Sequence, residues 1–375
     1  MTVYQEQAYL LDPYLDELVA GPAAYLHAHI KAMPTRWKEL PLPARQSLSH
    51  VARLLYTYTK VRGYKVITRF LPHDVHDLQP LVRVLEASEA MPWELVYMIL
   101  LWLSLVVLVP FAFPLHEGVS ILDRVERISR SFLARPGKER DAASEVLGRL
   151  YQRHDAERPL VSPFLVWAET QLPTTRSVFL ATGILQTLCK MAKWSHVSFV
   201  QTHHDAIVRL LAHATSWAGQ NTLLDRYRMK LASRLALPLL AHDADDERVD
   251  GHMDTLLRGL SHADTRVRYS AAKGVARVSE RVPLDMQSQV IEALLAKLTA
   301  FVPTSSVPAA VLAQSDVPTL NMAHVYTLRT VDLHAVSEPT WHGVHLALAE
   351  CVRRSLIPTS WVSRMLYWVC TVRTT

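Results

Sequence analysis

Glycine is scarce: eleven in 375 residues, with no two closer than Gly251 and Gly259, eight positions apart. That spacing excludes the P-loop, the dinucleotide fingerprint and the nucleophile elbow, which need glycines about two to five positions apart. Cysteine is scarcer still. Cys189, Cys351 and Cys370 form no CxxC pair, which argues against a disulfide framework and a zinc ribbon. The two asparagines, Asn221 and Asn321, stand outside glycosylation sequons. A large charge imbalance is missing too. Forty basic against thirty-five acidic residues give +5, a lean toward acidic partners that falls short of a nucleic-acid footprint. The opening residues, Met1 to Gln7, hold no basic-then-apolar leader. A reducing, cytoplasmic setting is the expectation.

What is abundant is apolar surface: half of the residues are hydrophobic and a fifth are charged, enough to bury a large core. The longest apolar run, Leu95 to Val109, is broken only by Tyr97 and Ser104. A bilayer needs about 20 such residues to cross about 30 Å, and fifteen at 1.5 Å each cover about 22 Å. Pro110 and Pro114 stop any extension. The run therefore reads as a helix buried on every side rather than a membrane span.

Nearly every segment repeats with helical period, and hairpin signals are missing. Met253, Leu256, Leu257 and Leu260 make one helix face. Ser261 to Asp264 form a turn, and Asp264 is placed to cap a second helix whose stripe is Val267, Ala271, Val275 and Val278. Ala271, Ala272 and Gly274 keep that helix thin. Leu294-Leu295-Ala-Lys-Leu298 repeats Leu256-Leu257-Arg-Gly-Leu260 thirty-eight positions on, and a period near 40 marks HEAT or armadillo arrays. Further helices are expected at about 45–59, 74–87 (interrupted at Pro80), 92–109, 121–134, 139–153, 160–171, 174–191, 197–214 and 222–240. The fold expected is an all-α solenoid of stacked antiparallel helix pairs over 1–301, continuing over 341–375 from a helix starting near Trp341. Residues 302–340, punctuated by Pro303, Pro308, Pro318 and Pro339, read as a mobile loop inserted within one pair.

Chemistry-bearing patterns are thin. His73 and His76 could share a metal, but Asp74 is equally a helix cap and no third ligand cluster stands nearby. His203-His204-Asp205 reads as a solvated surface, His116-Glu117 lacks the second histidine of a zinc protease, and Cys189 reads as a small buried side chain. No catalytic, metal-binding or cofactor-binding residue is assigned, and no cofactor is expected. The turn Lys60-Val-Arg62-Gly63-Tyr64-Lys65, reaching to Arg69, is different. It gathers four cations and no acid. Lys60, Arg62, Gly63, Tyr64 and Lys65 are the candidate partner-binding residues, because Arg and Tyr anchor interfaces and cations steer acidic partners. The alternative is a helix end whose cations offset the dipole, with Gly63 as its cap.

Several separated stretches, in one order, resemble the tubulin-folding cofactor D family. They are Tyr4-Gln-Glu-Gln7 with Leu10-Leu11-Asp12-Pro13, Thr59-Lys-Val-Arg-Gly-Tyr-Lys65, Phe70-Leu-Pro-His73, Trp93-Glu94, and Trp102-Leu103-Ser104 leading to Pro110-Phe111. Asp264-Thr265 with Val267-Arg268, Ser270-Ala-Ala-Lys-Gly274, and Trp341-His342-Gly343 with Leu346-Ala-Leu-Ala-Glu350 follow. Members of that family are considerably longer, so the resemblance implies an internal portion, and the 302–340 insertion exceeds the family pattern.

The resemblance implies a non-enzymatic, cytoplasmic, cytoskeleton-associated chaperone. Such a protein captures β-tubulin and, with tubulin-folding cofactors C and E and an Arf-like small GTPase, assembles or dismantles the αβ-tubulin heterodimer. The assembled machine stimulates GTP hydrolysis by tubulin, with no catalytic residue expected in this segment. Nucleic acid and a membrane span are not expected. The competing reading is a HEAT solenoid of the nuclear-transport or phosphatase-scaffold type, which shares the repeat physics without the client.

Overall fold

The structure, a computed structural model, describes residues 6–33, 36–110, 115–116, 119–244, 246–299, 337–362 and 365. Most of the 302–340 stretch and the terminal residues 366–375 lie outside them, as does Glu117. The chain divides into two compact units, Met1–Ser195 and His196–Thr375.

The first unit is built from α1 (Leu15–Ala32), α2 (Leu42–Arg62), the single turn α3 (Tyr64–Ile67), α4 (Leu78–Glu86) and α5 (Trp93–Val106). A minimal hairpin, β1 (Leu115–His116) with β2 (Val119–Ser120), leads to α6 (Ile121–Phe132). Then come α7 (Lys138–Leu150), the turn α8 (His154–Ala156), α9 (Ser162–Thr174) and α10 (Val178–Trp194). Helices α2, α5, α7 and α10 pack successively into one row; α1, α4 and α6 form a second row beside it. That two-layer ladder is the stacked-pair architecture read from the periodicity.

Helix α5 sits in the first row with α2 and α7 on either side and α4 across from it, so the run from Leu95 to Leu103 is buried throughout. Its length, fourteen residues, is about 21 Å. Among the described residues no helix is long and apolar enough to cross a membrane. The free carbonyls at its end are met from α7 and the turn after it. Arg149 donates to the Ser104 carbonyl at 3.1 Å, and Arg153 to those of Val107 and Val109 at 2.8 and 2.6 Å. Trp102, fully buried, donates its indole N–H to the Pro72 carbonyl at 2.8 Å and so pins the segment before α4.

The second unit comprises α11 (Val197–His213), α12 (Thr222–His242), α13 (Arg248–Gly259), α14 (Thr265–Ser279), α15 (Leu284–Thr299) and α16 (Glu338–Arg353). Here α12, α14 and α16 form the row, with α11, α13 and α15 paired to them. Asp264 caps α14 as its position implies, accepting from the Arg266 amide at 2.8 Å. A Cβ on Gly274 would meet Leu256 at 2.5 Å and Ser233 at 3.3 Å, so the thin face of α14 lets both α12 and α13 approach.

Several boundaries differ from the sequence expectations. α1, with Pro22 inside it, lies ahead of the first helix expected from the sequence, at about 45–59. Pro80 does not interrupt α4. It stands in the first turn, where the backbone N–H has no helical acceptor to lose. The expected helix at 174–191 begins only at Val178, capped by Ser177, whose hydroxyl accepts from the Leu180 amide at 3.3 Å. α16 begins at Glu338 rather than Trp341, since Pro339 suits a helix's first turn.

Candidate functional site

The basic turn divides into two kinds of residue. Gly63 ends α2 with its N–H on the Thr59 carbonyl at 3.0 Å and turns at φ 94°, a conformation that favours glycine. Arg62 is turned back onto the chain. Its guanidinium forms a two-pronged pair with Asp12, the Nη2–Oδ2 distance being 2.7 Å, and holds the Asp12 carboxyl below its usual range. Tyr64, half-buried, donates its hydroxyl to Glu145 on α7 at 3.0 Å. Lys60 and Lys65 are exposed. The turn is thus a docked corner carrying two outward lysines, with Arg62, Gly63 and Tyr64 engaged in holding it.

Glu145 is the centre of that corner. Its carboxylate is 1% exposed, with Lys190 from α10 on one oxygen and Arg149 at 3.3 Å from the other. Lys190 also lies 5.9 Å from the centre of the Tyr64 ring and 5.4 Å from that of Trp194. Gly148, one turn along α7, lets α10 come close: a Cβ there would meet the Lys190 Cβ at 2.4 Å. Two cations and one hydroxyl around one buried carboxylate tie α7, α10 and the α2–α3 corner together.

The histidine patterns resolve in different ways. Asp74 is a cap, accepting from the His76 amide at 2.9 Å. The neighbouring Asp77 is buried and takes His27 and Lys31 of α1, each at 3.0 Å. His204 contradicts the solvated-surface reading. It is buried, and its Nε2 lies 2.9 Å from Nε2 of His252 on α13. Its Nδ1 faces the exposed Asp205 carboxylate at 3.0 Å and holds that carboxyl below its usual range. The two Nε2 atoms share one hydrogen bond between α11 and α13, one ring donating and the other accepting. Burial, and then the facing imidazole, push His252 down to about 4. Sequence spacing alone missed this pair because the partners stand forty-eight positions apart on different helices. The only local signal is that His204 shares a helix face with the apolar Val200, Ile207 and Leu211.

The pair edges a cavity of about 430 Å³, also lined by Thr215, Arg228, Arg248 and Thr255. A second hollow of about 320 Å³ shares Thr215, Arg228 and Thr255 and reaches the buried Asp225. Asp225 itself is engaged by Arg228 at 2.9 Å, His262 at 3.2 Å and the Gly219 amide at 2.9 Å. Among the described residues, no three or more His, Cys, Asp or Glu gather as a metal site. Cys189 is buried in α10, as its apolar surroundings imply. The internal polar clusters join helices.

Two family models match the chain, both described as tubulin-specific chaperone D-like ARM repeats, over residues 1–172 and 240–320. Together they cover about two thirds of it. Tubulin-folding cofactor D of Schizosaccharomyces pombe is 27% identical over 383 residues, spanning 95% of this chain and 32% of that protein. Tubulin-specific chaperone D of Dictyostelium discoideum is 19% identical, spanning 83% of the chain and 29% of that protein. The chain therefore spans about a third of the length of the curated relatives it matches. Among solved structures, an engineered protein covers 68% of this chain and 97% of its own at 13% identity and a TM-score of 0.39, too loose a likeness to inform fold or function.

Proposed function

Since the chain belongs to the tubulin-specific chaperone D-like family, we propose that it supplies the helical-repeat scaffold with which a tubulin chaperone captures β-tubulin. In this reading the segment works without catalytic residues of its own. It acts with tubulin-folding cofactors C and E and an Arf-like small GTPase in the cytoplasm, at the cytoskeleton, to assemble or dismantle the αβ-tubulin heterodimer. Any stimulation of tubulin's GTP hydrolysis belongs to the assembled complex.

The observation that carries the proposal is the match of both compact units to models of the same family, in one order along the chain. The physics agrees. Stacked helix pairs expose long faces whose residues change without disturbing the buried stripes, which suits contact with a large folded client. Tubulin is acidic, and a +5 chain meets it with favourable, salt-sensitive steering.

The test is capture. The chain, immobilised and offered αβ-tubulin with and without the other cofactors, is expected to retain β-tubulin, less so as salt rises. Retention no better than that of an unrelated helical-repeat protein would sink the reading.

A further inference from the structure

In the second unit α11 and α13 both pack on α12, and the hollow of about 430 Å³ lies between them. Its wall carries two buried imidazoles, His204 from α11 and His252 from α13. Their Nε2 atoms are 2.9 Å apart and their ring centres 5.2 Å apart. The two spacings differ by the two ring radii, so each ring aims its Nε2 at the other. Capture of a client makes no use of these two nitrogens.

The surroundings suit a cation. The Asp205 carboxylate stands 3.0 Å from Nδ1 of His204, and a carboxylate on that nitrogen is what orients imidazoles whose Nε2 binds a metal. The two cations that line the hollow are each matched by an acid, Arg228 by Asp225 at 2.9 Å and Arg248 by Asp246 at 2.6 Å. Asp205 and the exposed Glu247 on the rim add two negative charges, against Arg209 beside Asp205. The local balance is therefore negative. Burial, before the facing imidazole, pushes His252 down to about 4, so its ring is neutral at physiological pH, and neutral imidazole is the form that ligates metals.

We propose that His204 and His252 bind one divalent transition-metal ion of the zinc and copper class through their Nε2 atoms, with water in the hollow completing its coordination. Bonds of about 2.0–2.1 Å set two imidazole nitrogens about 2.9 Å apart at a right angle and about 3.3 Å apart at the tetrahedral angle. The 2.9 Å between the two Nε2 atoms is already in that range, and what must change is ring direction: each ring swings toward the hollow to face the ion. The hydrogen that lies between the rings moves to the Nδ1 of its own ring, so both imidazoles stay neutral and no proton is released. Imidazole suits zinc and copper, whereas magnesium and calcium take oxygen ligands and fit poorly. The site has two protein ligands rather than three, which points to exchangeable binding. The proposal goes beyond the tubulin reading and does not rest on it.

The probe is zinc chloride, titrated calorimetrically into the whole chain near neutral pH after chelator treatment. One equivalent is expected to bind with a dissociation constant on the order of micromolar, and magnesium chloride should not compete for it. Eighteen histidines give the chain further, weaker uptake at its surface, so the comparison is between variants. His204→Gln and His252→Gln should each remove the one tight equivalent and leave the weaker uptake. His213→Gln, at an exposed position of α11, should leave the tight equivalent as it was. Because a buried substitution can disturb folding, the wild-type chain is also loaded with one equivalent of copper(II), whose electron paramagnetic resonance spectrum should show coupling to two imidazole nitrogens. No tight equivalent in the wild type would overturn the proposal. So would equal zinc uptake by both buried-histidine variants, which would mean an adventitious ion only, or a copper spectrum without nitrogen coupling.

Discussion

The Tyr64 hydroxyl and the Glu145 carboxylate meet at 3.0 Å, tying the turn after α2 to the middle of α7. Because Glu145 is buried and also holds Lys190 and Arg149, its loss leaves two cations facing one another in a dry place. Tyr64→Phe is expected to cost about 1 kcal/mol, roughly 2–4 °C in the melting of a unit this size. Glu145→Ala should cost about 3 kcal/mol or more. Thermal unfolding followed by circular dichroism measures both. Wild-type melting of Glu145→Ala would show that the cluster does not hold the corner.

The same corner separates contact from support. Lys60 and Lys65 face outward, whereas Arg62 is spent on Asp12. K60E/K65E is expected to reduce tubulin retention with no change in melting. Arg62→Glu sets two carboxylates together and should lower the melting temperature by itself. Equal retention by K60E/K65E and the wild type would remove the turn from the list of contact surfaces.

The histidine pair sets a pH dependence. His252 is depressed in the folded chain to about 4, against an ordinary value of 6.5. The unfolded chain therefore binds the extra proton first, and protonation favours unfolding. Stability should be level above about pH 6.5 and fall as the pH drops toward 4, by about 3 kcal/mol from this residue. His252→Gln, which stays neutral, should flatten that part of the profile. Chemical denaturation across pH 4 to 8 reads it, and an identical slope in the variant would contradict the assignment.

Much of this architecture is legible in the amino-acid order. The α13–α14 pair, the Asp264 cap and the burial of Leu95–Leu103 follow from periodicity and from the length of one apolar run. What escapes has a common cause: it depends on residues far apart in the chain. α1, which has Pro22 inside it and no helix expected at its place, is supported by packing against α2 and α4. His204 reads as surface until His252 arrives from α13. Arg62 and Tyr64 have internal partners, Asp12 and Glu145, that only the fold brings to them.

Among the described glycines of the second unit, Gly343 lies closest to a neighbouring helix. A Cβ there would lie 1.9 Å from the Leu260 carbonyl oxygen, a backbone atom that cannot swing aside. Gly343→Ala is expected to push α16 off the end of α13 at a cost of about 1–3 kcal/mol. Limited proteolysis should then cleave near α16 sooner than in the wild type. Unchanged protection would mean that α16 docks less closely than described.

The account rests on a client gripped by the exposed faces of stacked helix pairs. Hydrogen exchange of the chain, alone and saturated with αβ-tubulin, tests that most directly. Slowed exchange concentrated on helices that keep an exposed face, α1 and α2 of the first unit or α14 and α16 of the second, is the predicted result. Exchange that tubulin leaves unchanged on every one of those helices would contradict it.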